Sequence, residues 1–89
     1  MIVEFDKSFS KSLSKIKEPS VLKRVKSAII KLEKADKIEE ISSIKKLRGF
    51  NSYYRIKIGD HRIGFEKKES KIVVLIIVEH RKDIYKIFP

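Results

Sequence analysis

The stretch Tyr53-Tyr54-Arg55-Ile56-Lys57-Ile58-Gly59-Asp60-His61-Arg62-Ile63-Gly64-Phe65 constrains the fold more than any other part of this chain. Two alternating runs flank Gly59-Asp60, a two-residue hairpin signal with glycine where a type II′ turn needs positive φ. With that turn, Ile58 faces His61 and Lys57 faces Arg62. Side chains alternate along a strand. Tyr54, Ile56, Ile58, Ile63 and Phe65 therefore share one face, and Tyr53, Arg55, Lys57 and Arg62 the other. Like charges directly across a ladder are destabilising. A hairpin that keeps Lys57 against Arg62 is explained by an anion held there, and phosphate is the obvious candidate.

At 89 residues the chain is expected to form one domain, 1–89, burying about 60–65% of its unfolded surface. Apolar residues make up 42%, enough for a core despite 38% charged residues. The chain has no cysteine, which removes disulfides, thiolate nucleophiles and cysteine metal sites together. Two histidines without a nearby acidic cluster give no basis for a metal site, and no small-molecule cofactor is expected. The longest apolar run, Ile72 to Val78, is too short to span a bilayer. Glu4 and Asp6 stand where a signal peptide needs basic residues, so a cytoplasmic location is expected, away from membranes.

Net charge is +10 and unevenly placed. Residues 1–44 hold ten Lys/Arg and seven Asp/Glu, a balance of +3; residues 45–89 hold twelve and five, a balance of +7. The excess lies on the strand-rich half, as in an anion-facing surface. Lysine-rich surfaces also serve solubility, and seventeen of the twenty-two basic residues are lysine. The placement of the five arginines therefore says more than the total.

Ile2 to Phe5 reads as a short strand. Asp6 suits a helix N-cap, and Phe5, Phe9, Leu13 and Ile16 form one helical stripe, with the serines at 8, 10, 12 and 14 largely off it. Glu18-Pro19 interrupts, with Pro19 suited to a helix first turn. Leu22, Val25, Ile29 and Leu32 then continue at helical spacing. Residues 37–52 read as a partly buried connection through Ile38, Ile41, Ile44 and Leu47, with a turn near Gly49. Strands follow at about 53–58, 61–67 and 71–79. The last is apolar almost throughout, as expected of a central strand covered on both faces. Arg81 to Phe88 forms a short terminal helix, with Ile84 and Phe88 packing back. The expected architecture is α+β: an N-terminal strand and a helical hairpin packed on a mostly antiparallel sheet, with a short C-terminal helix.

This order of elements resembles the RelE/ParE superfamily of bacterial and archaeal toxins over essentially the whole chain. The resemblance rests on Leu47-Arg48-Gly49 leading to Tyr54-Arg55-Ile56, on Gly59-Asp60-His61-Arg62-Ile63, and on His80-Arg81-Lys82-Asp83-Ile84-Tyr85. The first two mainly identify the fold; the third resembles the RelE-type branch of ribosome-dependent mRNA endonucleases. The resemblance implies a microbial-RNase-type fold and a toxin of a type II toxin–antitoxin pair. Its implied partners are a cognate antitoxin, the ribosome and mRNA. Arg55 and Lys57 fall where that branch carries two sheet lysines, Arg62 and Arg81 match two functional arginines, and Tyr85 aligns with a late tyrosine. Arginine at 55 keeps the charge and changes any proton-transfer role. The spacing from Arg81 to Tyr85 is shorter than in some relatives.

Cleavage through RNA's own 2′-hydroxyl needs that hydroxyl deprotonated, the phosphorane neutralised and the 5′-oxygen protonated. Positioned cations meet these needs through electrostatic stabilisation. Arg62 and Arg81 suit the phosphate, Arg55 or Lys57 the developing charge, and Tyr85 the 2′-hydroxyl or a base. Lys45, Lys46, Arg48, Tyr53, His80 and Lys82 are the candidate RNA-binding surroundings, with His80 the standard acid–base side chain beside the set.

Each has an ordinary structural alternative. Lys57 and Arg62 can splay into solvent, Arg81 can pair with Asp83 or Glu79, and Tyr85 can be a core aromatic. Tyr54 reads as core and Tyr53 as a stacking platform, while Glu66, opposite Tyr53, can be a base or merely solvated. Two further functions fit the same residues: a ParE-like inhibitor of DNA gyrase, and a non-catalytic RNA-binding module.

Overall fold

The computed structural model describes all residues, Met1–Pro89. In chain order the elements are β1 (Ile2–Phe5), α1 (Lys7–Ser14), α2 (Pro19–Lys34), a 3₁₀ turn at Ile38–Glu40, β2 (Ile44–Lys46), β3 (Tyr53–Ile58), β4 (His61–Glu69), β5 (Ile72–His80) and α3 (Ile84–Ile87). They form one five-stranded sheet in the order β1-β5-β4-β3-β2. All neighbours are antiparallel except β1 and β5, which run parallel with Ile2 opposite Ile72.

The hairpin has the expected register, with Lys57 opposite Arg62 and Ile58 opposite His61. Gly59 has a φ of 70° and Asp60 a negative one, the type II′ combination in which only the first loop residue needs left-handed backbone. Ile56, Ile63 and Phe65 are buried under the helical hairpin together with Phe9, Val25, Leu32, Val73, Leu75 and Val78. Tyr54 stacks on Phe65, centroid to centroid 5.4 Å.

The helices start where local chemistry dictates. Asp6 caps α1 by accepting from the Ser8 backbone N–H at 3.0 Å, and Pro19 opens α2, its missing N–H costing nothing in the first turn. The buried stripe of α2 is Val25, Ala28 and Leu32. Leu22, expected on that stripe, is instead exposed. The expectation for the serines needs a larger correction, because Ser12 is buried. Its hydroxyl donates to the Phe9 carbonyl at 2.9 Å and accepts from the Val78 N–H at 3.0 Å. Ser8 reaches the Ile76 carbonyl. The reason lies in β5, whose pairing with β1 stops at Leu75. Beyond it Ile76 is an extra residue, because Gly64 pairs with Ile77 but Phe65 with Leu75, a bulge that leaves backbone groups off the ladder. Ser8 meets the bulge carbonyl, and Ser12 the N–H of Val78 past the end of β1.

Residues 37–52 differ from the expected simple connection, since Ile44–Lys46 pair with β3 as a fifth strand. The centre of the sheet is β4. The apolar β5 is interior to the sheet, but on its outer face Val74 and Ile77 are only half-buried. That face is crossed by the C-terminal segment, where Ile84 and Phe88 are both buried. Gly64 makes the crossing possible: a Cβ there would stand 2.7 Å from the Phe88 ring. No helix is long and apolar enough to cross a membrane.

Candidate nucleic-acid interface

The outer face carries the charged side of the hairpin. Lys45 pairs with Arg55 and Lys57 with Arg62, so two like-charge pairs stand across successive ladders. The arginines resolve the repulsion by turning to main-chain oxygens. Arg55 donates from Nη1 to the Ser43 carbonyl at 2.8 Å. Arg62, half-buried, donates from Nη1 to the Gly59 carbonyl at 2.7 Å and to the His61 carbonyl at 2.9 Å. Both Arg62 bonds use one terminal nitrogen, which leaves Nε and Nη2 for a second, bidentate partner. Arg62 is thus not splayed into solvent: it is a cation held on a turn with a binding edge to spare. Lys57 opposite it is exposed.

Arg81 joins them at the same end. Its N–H donates to the Asp60 carbonyl at 2.8 Å, and its Nε lies 3.8 Å from the Asp60 carboxylate. Neither Asp83 nor Glu79 is its partner; Asp83 pairs with Lys86. The Arg81–Asp60 pair is largely exposed and contributes little to stability. Its effect is positional, tethering the residue after β5 to the hairpin turn.

Tyr85 lies elsewhere, 55% exposed and therefore no core aromatic. It lines a groove of about 500 Å³ with Leu47, Arg48, Phe50, Lys86 and Phe88. Two candidates distant in sequence, Arg48 and Tyr85, thus come together. The charged face has two stations: Lys57, Arg62 and Arg81 at the hairpin end, and Arg48 with Tyr85 at the groove.

Other candidates are placed differently from the expectation. Tyr53 is no free stacking platform, because its ring packs edge-on against Phe50 at 5.8 Å and Phe88 at 5.7 Å. Lys46 pairs with Tyr54 and so points to the helix side, away from Lys45. His80 pairs with His61 on that same side, ring centroids 5.5 Å apart, beside Glu18 and Arg24. It is not with the outer-face cations. Lys82 is exposed in the turn after β5, where its N–H donates to His80 Nδ1 at 3.1 Å. Glu66 is opposite Tyr53 as expected. No group of three or more potential metal ligands converges in the structure.

Comparison with known proteins settles the family. Residues 3–85 match the family model described as "ParE toxin of type II toxin-antitoxin system, parDE". The full chain is 36% identical over 90 residues to toxin RelE3 of Methanocaldococcus jannaschii, covering all of both. The chain belongs to the RelE/ParE toxin family. Among solved structures, the RelB–RelE antitoxin–toxin complex from Methanococcus jannaschii matches with a TM-score of 0.80 and 34% identity, over 97% of this chain and 99% of that one. The YoeB dimer from Staphylococcus aureus has a TM-score of 0.73 at 13% identity, over 91% and 97% of the two chains, a likeness of fold alone. RelE/ParE membership accounts for the parallel β1–β5 pair beside an antiparallel meander as a shared architecture.

Proposed function

We propose that this toxin is a ribosome-dependent mRNA endoribonuclease that inhibits translation, and that a cognate antitoxin holds it in check. The observation that carries the reading is the hairpin end of the outer face. There Arg62 is fixed by two carbonyls with a bidentate edge free, Lys57 is directly opposite, and Arg81 is tied to the turn between them.

In the proposed reaction the RNA 2′-hydroxyl gives up its proton to solvent water as its oxygen bonds to the adjacent phosphorus, and the P–O5′ bond breaks, leaving a 2′,3′-cyclic phosphate and a 5′-hydroxyl. Arg62 and Arg81 hold the non-bridging oxygens as negative charge builds, a role for preorganised cations. Lys57 lies within the same cluster and supplies the proton taken up by the 5′-oxygen. Tyr85 and Arg48 seat the neighbouring nucleotide in their groove. His80 has no part in the scheme, because it faces α2. The antitoxin of the complex from Methanococcus jannaschii supports a partner of the same class here, and an acidic segment complements this +10 surface.

The test is primer extension on mRNA from a translating extract, with wild type and an Arg62→Ala/Arg81→Ala variant. New 5′ ends at ribosome-occupied codons with wild type alone are the expected result. The match to a ParE family model favours one other reading, inhibition of DNA gyrase. Intact mRNA together with loss of gyrase supercoiling activity would establish that reading instead.

A further inference from the structure

Strand β2 begins at Ile44, opposite Ile56, and the carbonyl of Ser43 before it accepts from the Lys57 N–H at 3.0 Å, so pairing along this edge of β3 continues almost to the turn. Between this edge and α2 is a cleft of about 210 Å³ lined by Arg24, Lys31, Lys57, Ser27 and Ser43, with the buried Ile56 and Ile58 beneath it. No carboxylate lines it. The ion pairs of the structure are Arg81–Asp60 and Lys86–Asp83, so Arg24 and Lys31 have no acidic partner. Arg24 and Lys31, seven residues apart on α2, present two cations on the same helical face.

Gly59 lies against the end of the Arg24 side chain. Besides its positive φ, a Cβ at residue 59 would come within 2.7 Å of Arg24 Nη1. The glycine that makes the turn also leaves room for this guanidinium. Lys57 lines the cleft and is also the exposed cation opposite Arg62.

We propose that this cleft is a second RNA subsite, with Arg24 and Lys31 binding a phosphodiester and the adjoining nucleotide lying beside Ser27 and Ser43. The proposal rests on the endoribonuclease reading and names a part of the strand path which that reading leaves open. The lining of cations and hydroxyls without a carboxylate favours an anionic ligand.

The probe is a fluorescent single-stranded RNA oligonucleotide carrying 2′-O-methyl groups, which bind but cannot be cleaved. Anisotropy titrations at several salt concentrations compare wild type, Arg24→Gln/Lys31→Gln, the charge-keeping Arg24→Lys/Lys31→Arg, and Arg55→Gln. The double glutamine variant should bind about tenfold more weakly, with a log–log salt slope reduced by about 1.4 for two lost contacts on a single strand. The charge-keeping variant should recover both. Unchanged affinity and slope in the glutamine variant overturn the subsite, while weakening in Arg55→Gln in the same series leaves the outer-face reading standing. If wild type binds no RNA oligonucleotide, the subsite falls, while the endoribonuclease reading is decided separately by the primer-extension test. A glutamine variant that keeps RNA affinity but no longer binds the purified cognate antitoxin overturns the subsite and assigns the cleft to an acidic peptide.

Discussion

On the helix-covered face of the β3–β4 hairpin, Ile56, Ile63 and Phe65 are sealed beneath the helical hairpin. On the opposite face of the same strands, Arg55 and Arg62 are pinned to carbonyl oxygens, and apolar cover comes from Ile84 and Phe88 with Phe50 against Tyr53. One face is ordered by excluding water, the other by hydrogen-bonding its cations to the main chain. Substitutions on the first should therefore act on stability, and substitutions on the second on activity.

The largest effect is expected from Phe65→Ala. Emptying a fully buried aromatic position should cost about 3–5 kcal/mol in chemical denaturation, a large part of the stability of a small domain. Arg62→Gln should lower single-turnover RNA cleavage by about 10²–10³-fold, the cost of losing one preorganised donor to a developing oxyanion. Its stability change should stay near 1 kcal/mol, since only ordinary hydrogen bonds are lost. A Phe65-sized loss of stability in Arg62→Gln would break the distinction between the faces.

Gly64→Ala sharpens the comparison at the place where the outer face is most like a core. The added methyl meets the Phe88 ring, so overpacking should cost about 1–3 kcal/mol. A double-mutant cycle with Phe88→Ala should show clear coupling, because truncating the ring removes the clash. Tyr85→Phe should leave stability within about 0.5 kcal/mol, as expected of an exposed site, while lowering cleavage. The smallest effect concerns Asp6, whose carboxyl lies below the ordinary aspartate value of 3.8 because the Ser8 hydroxyl and N–H bond to it. A lowered native pKa favours folding above the ordinary value, and that contribution is lost as pH falls through the lowered one. Asp6→Ala should therefore lower the Tm at neutral pH and converge with wild type in acid.

The hairpin was legible in the sequence because two signals coincide there: period-two alternation and a glycine in the turn. The two-helix unit was legible from Asp6, Pro19 and helical spacing. What escaped depends on neighbours distant in sequence. Ile44–Lys46 is too short to announce a strand and becomes one by pairing with the edge of β3. Ser12 looks like any polar helix residue, and only its bonds to the Phe9 carbonyl and to the Val78 N–H past the end of β1 make its burial favourable. Tyr53 reads as available for stacking until Phe88 arrives from the end of the chain. Arg24 carries no local sign of its place beside Gly59, which is distant in sequence. The charges of the candidate site could be read, but not their division between the hairpin end and the Arg48–Tyr85 groove.

The parallel pairing of β1 with β5 bears on the order in which the molecule assembles. Bringing Ile2 beside Ile72 closes most of the chain into a loop, whereas β3, β4 and β5 meet through short turns. Closure over long separations is the slow and entropically costly event. The meander that presents Arg55, Lys57 and Arg62 can thus form early, and the first strand docks onto a sheet already made. In hydrogen exchange β1 should be the first strand to open and β4 the last, so that the charged surface outlives the attachment of the strand that comes first in the chain.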